Sequence, residues 1–246
     1  MIKVVVSGAT GKMGAQTVKA IESERDIHLV GVTRRGDNLR DTLAATKPDV
    51  VVDFTHPSCV YDNTKACIEA GVFPVIGTTG LTDDQLKELG QLAKQKKVAV
   101  LVVPNFAIGA VLMMTFAAQA AKFMPRVEII EYHHDQKADA PSGTALKTAD
   151  MIHAVNASID THVLESKESI PGARGGKRHR IPIHSVRLPG YVAHQEVIFG
   201  GIGQTLSIRH DTISRESFMP GVILSIRKVR HLSGLVYGLE NILSLG

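Results

Sequence analysis

The chain opens on a strand that runs straight into glycines. Val4-Val5-Val6 is followed by Ser7-Gly8-Ala9-Thr10-Gly11-Lys12-Met13-Gly14, with its glycines three apart, and then by helical spacing over residues 11–25. A strand that turns through glycine directly into a helix has few uses. The missing side chains allow a tight turn and let backbone approach a phosphate closely, and the first helical turn offers amides and a positive dipole end to an anion. At the head of an alternating strand and helix pattern, such a loop predicts dinucleotide binding.

The alternation continues. Strands are expected at 3–7, 28–33, 49–54, 72–76 and 98–103, and further helices at 58–70 and 82–96, the last opening with Thr82 and Gln85 as a capping box. Valine-rich strands joined by helices predict a parallel sheet covered on both faces, an α/β domain of Rossmann type. Residues 34–48 leave little room for a full crossover helix, so a short or irregular connection is expected there. After an apolar helix near 107–124 the texture changes to a strand at 127–132, a helix at 142–154, and strands at 181–188, 194–199 and 204–209 punctuated by Gly200, Gly201 and Gly203. That pattern predicts a second α+β domain on a mixed or antiparallel sheet. Residues 214–230 and 232–245 return to helical spacing. The expected division is a dinucleotide-binding domain at 1–105 plus 216–246, and a substrate-binding and oligomerisation domain at 106–215.

Charge and composition exclude several classes of partner. The 246 residues are 44% apolar and carry a net charge of +4, spread along the chain without a basic arm or tail. With no Trp and 4% aromatics, neither duplex nor single-stranded nucleic acid is an expected partner. The run Lys177-Arg178-His179-Arg180 reads as a solvated loop. Cys59 and Cys67 fall on one expected helix, about 12 Å apart in rise and beyond disulfide reach, which predicts free thiols in a reducing compartment. Met1 leads directly into a strand, and the apolar stretch 107–121 is too short to span a bilayer, so a soluble cytoplasmic protein without membrane attachment is expected.

Three further loops refine the cofactor. The second strand ends in Thr33-Arg34-Arg35, where enzymes that use NAD place an acid on the ribose hydroxyl. Guanidinium groups there, helped by Lys12, suit a 2′-phosphate, so NADPH is favoured over NADH despite the nearby Asp37. Gly77-Thr78-Thr79-Gly80 and Pro104-Asn105-Phe106 leave the ends of the fourth and fifth strands, where small and hydroxyl residues suit ribose and nicotinamide.

The segment Glu131-Tyr132-His133-His134-Asp135-Gln136-Lys137-Ala138-Asp139-Ala140-Pro141-Ser142-Gly143-Thr144-Ala145 concentrates ionisable groups between a strand end and a helix start. Amides near Gly143 and Thr144 form an anion site, and Lys137 with the histidines adds charge and protons, a set fitted to a small carboxylate substrate and proton transfer. Adjacent histidines diverge on a continuous strand, so both serve one pocket only if the strand breaks there; a zinc site is not expected.

His-His-x-x-Lys followed by Asp-Ala-Pro-Ser-Gly-Thr-Ala, with Gly-Ala-Thr-Gly-Lys-Met-Gly upstream, resembles the dihydrodipicolinate reductase family. The resemblance extends over Asp53-Phe54-Thr55, Gly77-Thr78-Thr79-Gly80, Pro104-Asn105-Phe106-Ala107-Ile108-Gly109, His184-Ser185-Val186-Arg187, Phe199-Gly200-Gly201 and Gly234-Leu235-Val236-Tyr237, nearly end to end. It implies a reductase of lysine and diaminopimelate biosynthesis, a homotetramer, with His133 as proton donor or acceptor and Lys137 as proton donor. His134, Gly143 and Thr144 would bind the substrate dicarboxylate. Gly8, Ala9, Thr10, Gly11, Lys12 and Met13, then Gly77, Thr78 and Thr79, then Val103, Pro104, Asn105 and Phe106 would line the cofactor, with closure expected about a hinge near Asn105 and Phe106. Where the family commonly carries an acid this chain has Arg34, and the region between its second and third strands is short. Two other readings stay open on the residues alone: a different nicotinamide reductase of the same architecture, and a catalytically silent NADP sensor.

Overall fold

The computed structural model describes residues 1–156 and 168–243, which divide into two compact units, Met1–Ile108 with Arg215–Gly246 and Gly109–Ser214. The first unit is built on β1 (Ile2–Ser7), β2 (Ile27–Thr33), β3 (Val50–Asp53), β4 (Phe73–Ile76) and β5 (Val100–Val102), with β11 (Leu235–Tyr237) arriving from the far end of the chain. All pairings are parallel, in the order β11-β5-β4-β3-β1-β2. Val4, Val5, Val6, Val50, Val51 and Val52 are fully buried, as a sheet covered on both faces requires.

Helices α1 (Lys12–Glu22), α2 (Leu39–Thr46), α3 (Val60–Glu69), α4 (Asp83–Lys96) and α7 (Met219–Lys228) cover that sheet. Val60 and Ile68 of α3 and Leu89 and Ala93 of α4 pack with Ile76, Val100 and Val102; Leu39 and Leu43 of α2 pack with Val5 and Val51. Full burial of each of these Val, Leu and Ile side chains contributes about 1.5–3 kcal/mol. The Thr82 and Gln85 capping box forms at the start of α4, satisfying two helix-end groups reciprocally.

Two expectations fail here. Residues 34–48 hold a regular helix, α2, because Asn38 caps it by accepting from the Arg40 amide and Leu39 and Leu43, four apart, reach the core. Eight helical residues suffice for this crossover. The expected helix over 232–245 is replaced, in its described part, by β11 and a single 3₁₀ turn at Leu239–Asn241, with residues 244–246 outside the described residues. Gly234 and Gly238 flank β11 with φ of +65° and +99°, so the segment enters and leaves through conformations closed to a helix, and pairing with β5 decides it.

The second unit carries α5 (Ile108–Ala121, whose first residue falls on the unit boundary), β6 (Arg126–His133), α6 (Gly143–Val155), β7 (Gly176–Arg178), β8 (Ile181–Arg187), β9 (Ala193–Gly201) and β10 (Gln204–Thr212). Its sheet runs β10-β9-β6-β8-β7 and is mixed: β6 and β8 are parallel and the other pairs antiparallel. Burial alternates. Val127, Ile129 and Glu131 on β6 and Gln195, Val197 and Phe199 on β9 are buried, while their neighbours in sequence are half-exposed. Among the described residues no helix is long and apolar enough to cross a membrane.

Candidate functional site

The glycine loop is anchored to the end of β2. The amides of Gly8 and Ala9 both donate to the Thr33 carbonyl at 3.0 Å, and the Ser7 and Thr33 hydroxyls lie 2.7 Å apart. Gly8 has a φ of +81°, and a Cβ there would collide with the Phe54 carbonyl; one on Gly14 would collide with the Gly8 carbonyl. Both glycines are therefore demanded by the turn itself. Gly11 precedes α1 without a side-chain cap, and the first turn of α1 holds no acidic residue, which leaves the positive helix end available to phosphate.

Strands β2 and β3 flank β1 on opposite sides, so the crevice at the ends of β1 and β3 is the reversal point of the sheet, where such folds bind ligands. A cleft of about 590 Å³ lies there, and it gathers Gly8, Thr10 and Gly11 with Arg34 and Arg35, adding Phe54, Thr55, His56, Ser58 and Cys59 from the β3 to α3 connection and Asn63 from α3. Both arginines are exposed, and among the described residues neither guanidinium is paired with a carboxylate. Asp37 accepts the Arg34 amide at 2.8 Å and so shapes the turn instead of neutralising the arginines. Ala9, Lys12, Met13, Gly77, Thr78, Thr79, Val103, Pro104, Asn105 and Phe106 do not line this cleft.

A buried carboxylate that sequence reasoning passed over links the remaining loops. Asp53, 0% exposed at the end of β3, accepts from the Thr55 amide (2.9 Å), the Thr55 hydroxyl (2.6 Å), the Thr78 hydroxyl (2.6 Å) and Asn63 (2.9 Å). Thr78 is thus a strut between the β3 and β4 loops. Phe54 meets Phe106 edge to face at 5.5 Å, joining the β5 loop to the same group, while the Val103 side chain is buried in the core. Asp53-Phe54-Thr55 was visible as a motif; its reach to Thr78 depends on strands β3 and β4 being neighbours.

In the second unit β6 ends at His133, and a turn closed by the Lys137 amide on the His134 carbonyl begins. The strand break required for the two histidines is present, with His134 exposed. Lys137 pairs with Asp139 at 2.6 Å and is 21% exposed, and this bond holds the Asp139 carboxyl below its ordinary range. Ser142 caps α6 by accepting from the Ala145 amide at 3.2 Å, the first turn holds no acid, and the position above Gly143 is open for 4 Å around a notional Cβ. His133, Lys137 and the positive start of α6 therefore follow one another within a single strand-to-helix connection.

Two further residues organise this connection and were missed as functional from sequence. Glu131, 0% exposed, takes both guanidinium nitrogens of Arg187 (2.9 and 2.7 Å), the Ser142 amide (3.1 Å) and His133 Nδ1 (2.5 Å). Burial opposes charge on Glu131, but hydrogen bonds from His133, Arg187 and Ser185 outweigh it and lower the carboxyl from an ordinary 4.5 to about 2. The strand register brings these groups together: Glu131 lies opposite Ser185 and His133 opposite Arg187 on parallel β6 and β8. The alternations Glu-x-His and Ser-x-Arg were legible as same-face pairs, but not their register.

The basic run is not a free loop. Arg178 and His179 both bind Asp150 of α6 at 2.7 Å, and His179 stacks on His153 at 4.2 Å, which docks the β7 to β8 turn on that helix. Among the described residues, no group of three or more His, Cys, Asp or Glu is placed to hold a metal ion.

Comparison with known proteins agrees along the chain. Residues 2–106 match the family described as "Dihydrodipicolinate reductase, N-terminus" and residues 109–243 the family "Dihydrodipicolinate reductase, C-terminus". A 4-hydroxy-tetrahydrodipicolinate reductase from Syntrophomonas wolfei is 49% identical over 261 residues, covering 98% of both chains. The dipicolinate-bound dihydrodipicolinate reductase from Paenisporosarcina sp. TG-14 superposes with a TM-score of 0.94 at 48% identity over 99% of this chain and 100% of its own. An amine dehydrogenase from Mycobacterium smegmatis, at 15% identity and a TM-score of 0.65 over 96% of this chain and 94% of its own, shares the fold alone.

Proposed function

Because the chain belongs to the dihydrodipicolinate reductase family, we propose a division of labour among its residues for the reaction it catalyses, the NAD(P)H-dependent reduction of 4-hydroxy-tetrahydrodipicolinate to tetrahydrodipicolinate in lysine and diaminopimelate biosynthesis. When bound, the nicotinamide cofactor would supply a hydride to the unsaturated ring that remains once the 4-hydroxyl of the substrate has left as water. The chain's own residues hold the two reactants and manage the proton.

Gly8, Ala9, Thr10, Gly11, Lys12 and Met13 hold the pyrophosphate at the start of α1. The fit is carried by the close approach at Gly8 and Gly14 and by the uncapped helix end. Arg34 and Arg35 take the 2′-phosphate, which makes NADPH the preferred cofactor; their guanidinium groups beside the glycine loop, without a carboxylate partner among the described residues, support this. Gly77, Thr78 and Thr79 with Val103, Pro104, Asn105 and Phe106 form the floor beyond the adenosine cleft.

His134, Gly143 and Thr144 bind the substrate carboxylates. Dipicolinate bound to the Paenisporosarcina relative supports a small dicarboxylate as ligand. Lys137 Nζ, ion-paired with Asp139, gives the proton to the electron-rich centre that hydride addition leaves, and His133 exchanges protons with the same site. The observation that carries this assignment is the sequence of His133, the Lys137 ion pair and the acid-free start of α6 within one connection. The half-exposed face of the second sheet, with Glu128, Ile130, Tyr132 and Ile198, supports assembly into a homotetramer, read out by sedimentation. Free Cys59 and Cys67 are compatible with a cytoplasmic location.

The test is the loss of reduced-nicotinamide absorbance when the protein is given the condensation product of pyruvate and aspartate semialdehyde. Turnover with NADPH is expected. Intact NADPH binding without turnover would overturn the assignment in favour of a sensor.

A further inference from the structure

Glu131 is the one fully buried carboxylate of the second unit among the described residues, and it lies two residues before His133. An ionised carboxylate only accepts, so at each of its contacts the proton belongs to the partner: Arg187, the Ser142 amide and His133 Nδ1. Placing the proton on Nδ1 leaves Nε2 as the nitrogen that can face a ligand. Arg187 does more than balance the charge. Its second nitrogen also donates to the Asp139 carbonyl at 2.7 Å, two residues from Lys137. The Glu131 and Arg187 pair thus touches the His133 ring, the Lys137 turn and the cap of α6 at once, while contributing no net charge beside the ring.

We infer that Glu131 is a positioning residue for the reduction: it holds His133 in the tautomer and ring orientation that presents Nε2, and holds the start of α6 in register with that ring through the Ser142 amide. This rests on the proton-handling role proposed for His133. Arg187 is part of the same device. It fixes the carboxylate by a fork of two bonds, so that the oxygen facing His133 cannot rotate away. Of the two consequences, ring orientation acts on kcat and the placement of α6 acts on KM for the dicarboxylate.

The experiment is a double-mutant cycle of Glu131→Gln and His133→Ala, with kcat, KM and the Kd for NADPH measured for each protein. Glu131→Gln alone is expected to lower kcat by about 100-fold or more and raise KM for the substrate several-fold, with Kd for NADPH unchanged, because orientation of the proton carrier is lost. In the His133→Ala background the same change is expected to cost less than about threefold in kcat. Equal losses in both backgrounds would overturn the inference, since Glu131 would then act on the fold and not through His133. Near-normal kcat in Glu131→Gln would also overturn it, and if His133→Ala is impaired the proposed function survives that result. Near-normal kcat in His133→Ala would remove the role of His133 itself, and this inference with it. Should Glu131→Gln fold poorly with Arg187 left unpaired, Glu131→Gln with Arg187→Met removes both charges of the pair. That protein is expected to melt like the wild type yet show the same loss of kcat; wild-type kcat in it would overturn the inference. Nitrogen-15 spectra of the imidazoles give an independent readout, with His133 protonated on Nδ1 in the wild type and mixed between tautomers in Glu131→Gln; an unchanged tautomer would count against the device.

Discussion

Under the proposed function, the two units meet anions by different physics. In the first, the recognition surface is backbone and cations: two glycines that no side chain could replace, an uncapped helix end, and Arg34 and Arg35, which have no carboxylate partner among the described residues. In the second, the charged side chains are already paired, Lys137 with Asp139, and Glu131 with Arg187 and His133. The difference follows from what each must do. A large cofactor is held by shape and by charge that waits for it, whereas a proton must be delivered by a group whose position and protonation are set beforehand. The first unit should therefore be sensitive to volume at its glycines and indifferent to most other changes, and the second sensitive to the loss of single ionisable atoms.

The largest effect expected from that contrast is on Lys137. Lys137→Ala should lose about 10²–10⁴ in kcat, the range of a general acid, while Kd for NADPH stays at the wild-type value. Turnover within a few-fold of wild type would mean that the prearranged pair is structural. The matching break in the first unit is Gly14→Ala. Its Cβ meets the Gly8 carbonyl, a backbone atom that cannot step aside. A loss of about 1–3 kcal/mol in stability is expected by thermal or denaturant unfolding, together with weaker binding of NADPH and NADH alike.

The arginines sharpen the comparison because they place two positive side chains beside the glycine loop, where the rest of the proposed recognition is by backbone. With Arg34→Ala and Arg35→Ala combined, Kd for NADPH is expected to rise about 10–100-fold, as for loss of charge-assisted hydrogen bonds, and Kd for NADH to change by less than about threefold. Titration of both cofactors by fluorescence checks it. Equal weakening would show that the arginines shape the loop and do not read the 2′-phosphate.

How much of this was legible in the sequence tracks how local each cause is. The glycine loop, the Thr82 capping box and the strand-to-helix connection around Lys137 depend on residues a few positions apart, and each was readable. The crossover at α2 departs from the expected irregular connection because the cap outweighs the shortness of the segment: Asn38 followed by Leu39 and Leu43 is itself a short helix signal. The strand β11 is only three residues long and owes its state to lying beside β5, although the glycines on either side marked the interruption. Glu131 with Arg187 and Asp53 with Thr78 are pairings across strands, 56 and 25 residues apart. No spacing rule reaches them, and they are the contacts that fix the geometry of both sites.

The smallest effect is one that an activity assay near neutral pH does not read, and it follows from the same contrast. Carboxyl groups held below their ordinary values are concentrated in the second unit: Glu131, at about 2, and Asp139, Asp150 and Asp211, lowered by Lys137, Arg178 and Arg209 respectively. In the first unit, among the described residues, Asp26 beside Arg227 is the comparable case. A group whose carboxyl is lowered on folding stabilises the folded state fully above its ordinary value and loses that contribution as pH falls through its folded value. Three of the four in the second unit lie at exposed pairs that contribute little, so Glu131 dominates. Between pH of about 4.5 and about 2 the second unit should therefore loosen first. Hydrogen exchange followed peptide by peptide is expected to show β6, β8 and the start of α6 gaining exchange while β1, β3 and β4 remain protected. Simultaneous loss of protection in both units would mean that the paired charges of the second unit do not set its acid stability, and Glu131→Gln, which removes the titrating group, should flatten the difference if they do.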